Sequence, residues 1–282
     1  MAADIQSTFD SWEPSWWLST MVVITAIVYF RGWLAIRKTR PTQFPPWRLG
    51  IFLSSLAVLW LAIGSPMDAF ADAMLSAHMI EHLLLMSVVP PLAWLGNPIV
   101  PLLRGLPRPV LKYLVGPLLR IRSLRKFTHW LTRLRVAWLL MNGIFLAWHV
   151  PAAYDFALEH EGWHIVEHMC FLSASLIFWR PIIRPWPTGR RAYSWGLILY
   201  LLSADVVNTA LSAFLAFCTR PMYSFYLNEP NPFHMSPLAD QVLGAVIMWV
   251  LGSLFFLVPA MYITLKLIKP ERARTPYSEY GT

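Results

Sequence analysis

Charge is scarce in this sequence. Only 13% of its 282 residues are Asp, Glu, Lys or Arg, against roughly 25% in an ordinary soluble domain. A chain with so few charges and 57% hydrophobic residues is excluded from the soluble globular class. Cysteine is nearly absent: Cys170 and Cys218 are too few for a disulfide framework and read as small buried residues. The first fifteen residues carry no Lys or Arg, so no positively charged n-region and no cleavable signal peptide is expected. Alternating apolar and polar runs are missing too, which excludes an outer-membrane barrel. Neither a Gly-rich phosphate loop nor a low-complexity segment occurs.

What the sequence has instead is long continuous apolar runs. Crossing a hydrocarbon core of roughly 30 Å takes about 20 mostly apolar residues. Seven stretches qualify: 16–36, 48–65, 74–95, 135–153, 162–180, 192–217 and 238–266. Lipid offers backbone groups no partners, so each is predicted to be a helix. The expected fold is an all-α integral membrane protein, a seven-transmembrane-helix bundle forming one membrane domain over residues 1–282. Fifteen Trp and ten Tyr suit a protein with two membrane–water interfaces to line.

Basic residues set the expected orientation. The links between spans 1 and 2, 3 and 4, and 5 and 6, together with the C-terminal tail, hold all of the 23 Lys and Arg except Arg220. The positive-inside rule then puts the N-terminus outside and the C-terminus in the cytoplasm. Asp4, Asp10, Glu13, Asp68, Asp72, Asp155, Glu159, Glu161 and Glu229 all fall in outer segments. The net charge of +8 is thus a topology signal and not a nucleic-acid footprint. Residues 97–134 carry five prolines and eight of the basic residues. They read as an interfacial elbow followed by a basic amphipathic helix, with membrane lipids as the partner.

Ionisable residues within spans are costly and mark function by default. Span 3 opens with His78-Met-Ile-Glu81-His82, and span 5 with His164-Ile-Val-Glu167-His168. Residues four apart share a helix face, so each span offers two imidazoles in one direction with a carboxylate beside them. Span 4 runs the other way and brings His149 to the same outer level. Every histidine except His129 is expected on the outer side, including His160 and His234. A parallel internal repeat is suggested: a Pro (Pro66, Pro151), an acidic loop (Asp72, Asp155), then His-x-x-Glu-His.

The candidate metal ligands are therefore His78, His82, His149, His164 and His168. Glu81 and Glu167 are either ligands or acceptors that fix a ligand's tautomer. Asp205 in span 6 is the candidate proton or ion relay, and Asp240 with Gln241 opens span 7. Imidazole suits zinc, copper, iron and nickel, and thioethers nearby would shift the balance to copper(I). Met67, Met74, Met79, Met86, Met169, Met222 and Met235 are the candidate thioethers, although methionine also serves as apolar packing. Haem b held by one His from each of two helices is an alternative, weakened because the four rings lie at nearly one depth. His-x-x-Glu-His is also the inverted zinc-protease motif; its duplication argues against a single protease centre. A transporter using Asp205, Asn208 and Asp240 is a further alternative.

Three blocks also carry a resemblance. Residues 77–98, AHMIEHLLLMSVVPPLAWLGNP, 148–168, WHVPAAYDFALEHEGWHIVEH, and 239–249, ADQVLGAVIMW, resemble in order the CtaG-type assembly factors of caa-type cytochrome c oxidase. The seven-helix, Bacillus-type family is meant, not the single-span copper chaperones. The resemblance implies a non-enzymatic, multi-pass protein of the bacterial plasma membrane that serves the respiratory chain. It implies copper handling at the outer membrane face and cytochrome c oxidase subunits as partners. The positions it carries over are His78, His82, His149, Asp155, His164, His168, Asp240 and Gln241; His160, His234 and Met235 are not covered.

Overall fold

The computed structural model describes residues 2–186 and 193–268, and among these there are helices and turns but no strands. A short helix α1 (Ala2–Asp10) precedes α2 (Trp16–Arg37) and α3 (Pro46–Ile63). Then come α4 (Met67–Ala73) and α5 (Leu75–Leu95). The helix α6 (Ile99–Gly105), a broken stretch over 108–120 and α7 (Arg122–Leu131) make the long connection. Next are α8 (Leu134–Trp148), α9 (Pro151–Leu158), α10 (Glu161–Ile183), α11 (Trp195–Phe217) and α12 (Pro237–Ile268). Six helices, α2, α3, α5, α10, α11 and α12, are long and apolar enough to cross a membrane. The pair α8 and α9 makes a seventh span if counted as one.

The fourth span departs from expectation. The continuous helix expected over 135–153 stops at Trp148, and α9 leaves at 74° to α8. Pro151 is the cause: it has no N–H to continue the ladder and disfavours helical backbone at the residue before it. Val150 is accordingly extended (φ −66°, ψ 124°), and Pro151 restarts the chain as the first residue of α9. A 15-residue helix rises only about 22 Å, so α8 is short and His149 sits at its C-terminal end. Arg190, Arg191, Lys269, Arg272 and Arg274, which contribute to the expected orientation, lie outside the described residues, as does position 192 at the expected start of span 6.

The connection after α5 also differs from an elbow lying on lipid. Helix α6 packs into α2 across two glycines. A Cβ on Gly32 would fall 1.7 Å from the Pro101 carbonyl oxygen, and one on Gly105 would fall 1.7 Å from that of Val28. No side chain fits either position. Where a basic amphipathic helix is expected, the chain forms α7, which has no buried residue.

Helix α5 is the centre of the molecule. Of its apolar window 61% is buried, against 44% or less for the other spans. It passes through a π-helical turn at Leu84–Val88 before Pro90 and Pro91. Proline cannot donate, so Pro90 leaves the Met86 carbonyl without its usual partner. The Trp179 indole N–H of α10 donates to that oxygen at 2.9 Å. This bond fixes α5 against α10 at the level where both turn inward. The outward faces of the spans remain apolar, with Met21, Leu139, Leu199, Val206 and Met261 exposed. Such faces suit lipid, since nothing polar is left there for water.

Candidate metal centre

The two His-x-x-Glu-His segments meet face to face. Helices α5 and α10 place His78, Glu81, His82, Glu167 and His168 in the interior, all buried, with His164 half-buried above them. The His78 and His164 rings stack at 5.2 Å and 18°. Below them the His82 and His168 rings lie 5.7 Å apart, edge to face. The carboxylates cross over. His82 Nε2 is 3.6 Å from Glu167 Oε1, and His168 Nε2 is 3.6 Å from Glu81 Oε1. The last histidine of each segment thus faces the glutamate of the other, a reciprocal arrangement matching the repeat seen in the sequence.

His149 completes the cluster from the broken end of α8. Its ring centre is 6.1 Å from that of His82. The helix stops there, so its ring turns back along its own turn, with Nδ1 2.7 Å from the Phe145 carbonyl oxygen. A carbonyl can only accept, so Nδ1 carries the proton and Nε2 presents a lone pair to the interior. That Nε2 is buried without a hydrogen-bond partner. The same holds for both ring nitrogens of His78 and His82, for Nε2 of His164 and His168, and for all four oxygens of Glu81 and Glu167. Buried polar atoms are normally satisfied. So many orphaned donors and acceptors gather at one place that a bound guest could supply the missing bonds.

The donor set fits a metal cation. One nitrogen each from His78, His82 and His168 lie within 4.8 Å of one another, as do donors from His78, Glu81 and His164. An ion bound to imidazole at about 2.0–2.1 Å holds its donors roughly 3.4 Å apart. Small side-chain rotations close the difference. His78 belongs to both groups and links an upper half-buried set to a lower buried one.

With this geometry in view, the wider similarity decides the family. The family model described as cytochrome c oxidase caa3 assembly factor (Caa3_CtaG) matches residues 27–269. The chain belongs to this family. Two uncharacterized proteins, from Mycobacterium bovis and Mycobacterium tuberculosis, are each 30% identical over 257 residues, 87% of this chain and 37% of theirs. One from Mycobacterium leprae is 26% identical over 252 residues, 86% of this chain and 37% of its own length. The chain thus spans little more than a third of the length of these curated relatives. No solved structure matches it.

The remaining sequence candidates occupy other places in the chain. Asp240 on α12 accepts from the Leu75 and Ser76 amides, at 2.7 and 3.2 Å, and from the Ser76 hydroxyl. It caps α5 from another helix, since its carboxylate meets the unpaired N–H groups of the first turn. Gln241 accepts from the Met222 amide at 2.7 Å and donates to the Leu215 carbonyl at 3.1 Å, tying the loop between α11 and α12 to α11. Asp155 on α9 accepts from the Ser224 amide and hydroxyl and from the Phe225 amide. These three residues are committed to backbone and hydroxyl donors and act on the cluster through the elements they fix. Asp205 lies on α11 away from the five rings, with Oδ1 buried and unpartnered. His160 and His234 are exposed; His234 Nε2 is 3.3 Å from Asp4 Oδ2.

Two kinds of residue beside the histidines escape a sequence scan for ligands. Tyr154 of α9 is fully buried with its ring 5.2 Å from that of His78; only the turn at Pro151 brings it there. Met141 and Met248 join Met79 and Met86 around an enclosed space under His82 and His149. The spacing Met141, Phe145, His149 on one face of α8 is the signal that could have found the first.

Proposed function

We propose that this assembly factor takes copper as cargo from the outer side of the membrane and holds it among His78, His82, His149, His164 and His168. It then passes the copper to a subunit of a caa3-type oxidase in the bacterial plasma membrane, without catalysing a reaction. The single observation carrying this reading is the gathering of five imidazoles with unpartnered, buried ring nitrogens in one part of the bundle. Imidazole binds copper well, and methionine thioethers alongside favour its reduced form. The N-terminus is outside in this proposal, because the positive-inside count puts the histidine end of the bundle outward.

A single ion has better support here than haem. The His78 and His164 rings already stack on each other, so a macrocycle between α5 and α10 would need both helices displaced. Hydrolysis has less support too. Each glutamate faces the opposite span's histidine, whereas a general base must reach a substrate or water proton. Elemental analysis of the detergent-purified protein, with an optical spectrum of the same sample, tests the reading. Near-stoichiometric copper without a Soret band is expected. A Soret band or zinc alone overturns it.

An entry route supports the direction of loading. His164 shares a surface hollow with Asp72, Glu161 and Glu229, and Asp68 stands beside it on α4. Burial, and then the charges of Asp72 and Glu161, raise the Asp68 carboxyl to about 7. Asp68 is therefore neutral at pH 6 and ionised at pH 8, adding a negative charge to a hollow that attracts cations. Copper(II) capture, followed by stopped-flow quenching of tryptophan fluorescence, is expected to speed up between pH 6 and pH 8. Asp68→Asn removes part of that increase, about two- to fivefold at low ionic strength. An identical pH profile in wild type and variant would count against the route.

A further inference from the structure

The histidine cluster has a floor of sulfur. Directly below it, between α5, α8, α11 and α12, is a cavity of about 30 Å³, the room one water molecule or one bare ion takes up. Met79 and Met86 of α5, Met141 of α8 and Met248 of α12 line it, and His82 and His149 form its upper wall. All four methionines are buried. They come from three helices that are distant in sequence, so local composition does not explain their meeting. Helical spacing aims them together: Met79, His82 and Met86 lie at i, i+3 and i+7 on α5, and Met141 and His149 are two turns apart on α8. The Met141 sulfur is held in place by the Ser175 hydroxyl, 3.2 Å away. His149 Nε2 and both His82 nitrogens, on the wall of this chamber, are buried and have no hydrogen-bond partner.

We infer that this chamber is a second cation site, separate from the upper histidine set, and that it takes a soft monovalent ion, copper(I), through thioether sulfur with His82 or His149. Thioether is a weak, polarizable ligand that discriminates for copper(I) against zinc, magnesium and calcium, whereas imidazole alone accepts several divalent ions. The geometry sets out two stations in series. His164 lines the surface hollow with His78 and Glu81 buried behind it, and Met86 lies about two helical turns past His78 on α5, with His82 between them. A copper(I) ion moving inward exchanges imidazole nitrogen for sulfur one ligand at a time, with no change of oxidation state. His82, present in both settings, need not release it during the exchange. Copper as the natural occupant rests on the function proposed above; a soft-ion site at the methionines does not.

Silver(I) is the probe, because it is soft, monovalent and redox-inert. The full-length protein in detergent is titrated with silver(I), with calorimetric stoichiometry and silver-edge X-ray absorption as readouts. With the two free thiols removed (C170S/C218S, the background for every variant below), the protein is expected to bind two equivalents, one with sulfur in its coordination shell. The quadruple variant M79L/M86L/M141L/M248L, which nearly conserves side-chain volume, is expected to lose the sulfur scattering and one equivalent. It should keep copper(II) binding at the histidines. The variant H78N/H164N, whose positions do not line the chamber, is expected to lose the other equivalent and keep the sulfur-bound one. Two equivalents retained in the methionine variant, or no sulfur around silver in the thiol-free parent, overturns the chamber site. Loss of the chamber site with intact copper(II) binding leaves the histidine proposal standing, and the converse pattern leaves the chamber standing.

Discussion

Asparagine at both His82 and His168 is expected to weaken copper binding by at least about 100-fold. Disturbing a group that merely supports a ligand typically costs 10- to 100-fold in metal affinity, and this double change removes two direct ligands. His78, His82 and His168 offer their nitrogens within one 4.8 Å group, so the variant leaves His78 with a single nitrogen there. The choice of asparagine matters. Each of these histidines faces a buried glutamate 3.6 Å away on the other span, and alanine would strand that carboxylate without a polar neighbour. Leaving a buried polar group stranded in that way costs about 1–3 kcal/mol and would confuse a folding defect with a binding defect. An amide keeps a donor toward Glu167 and Glu81. Competition with a chelator of known affinity measures the change, and thermal unfolding in the same detergent is expected to stay near wild type. Wild-type affinity in the double variant would remove the histidine cluster from consideration as the copper site.

The sequence made this cluster legible for a specific physical reason. A helix repeats every 3.6 residues, so His-x-x-Glu-His predicts a shared face wherever it sits in a span. Charge placement predicts that both copies start from the same side. These rules are local or topological, and they were enough to bring His78, His82, His164 and His168 to one level. They do not specify which neighbours a face meets. The crossed contacts of Glu81 and Glu167 depend on α5 and α10 lying side by side, which the Trp179 bond to the Met86 carbonyl secures. The burial of Tyr154 depends on the turn at Pro151. A hydropathy window averages across that proline and reports one span, because Ala152, Ala153, Tyr154 and Phe156 are as apolar as the helix before them. The packing of α6 on α2 was hidden for a related reason: Gly32 and Gly105 contribute nothing to hydropathy, yet their missing side chains allow the contact. Methionine was the most ambiguous signal. Of the seven candidate thioethers, only Met79 and Met86 reach the chamber, while Met169 is exposed.

Asp240→Ala is expected to destabilise the protein by about 2–4 kcal/mol and to weaken copper binding with it, although the residue touches no histidine. Three donors at the start of α5 converge on this carboxylate: the Leu75 amide, the Ser76 amide and the Ser76 hydroxyl. Removing a helix cap costs about 0.5–2 kcal/mol, and stranding buried N–H groups adds about 1–3 kcal/mol each where nothing replaces the acceptor. Replacement is difficult here, because α12 lies tightly on the same turn. Gly244, one turn after Asp240, is close enough that a Cβ would sit 3.2 Å from the Ser76 Cα. His78 follows two residues after Ser76, so fraying of the first turn displaces the histidine shared by both candidate ligand groups. Asp240→Asn separates this role from a proton or ion relay. A relay carboxylate loses its function on becoming an amide while fold and affinity stay intact. A cap retains one acceptor oxygen, so Asn should fall between wild type and Ala in both unfolding temperature and copper affinity. Equal stability across all three proteins would leave α5 held by something other than Asp240, and would return the residue to the relay.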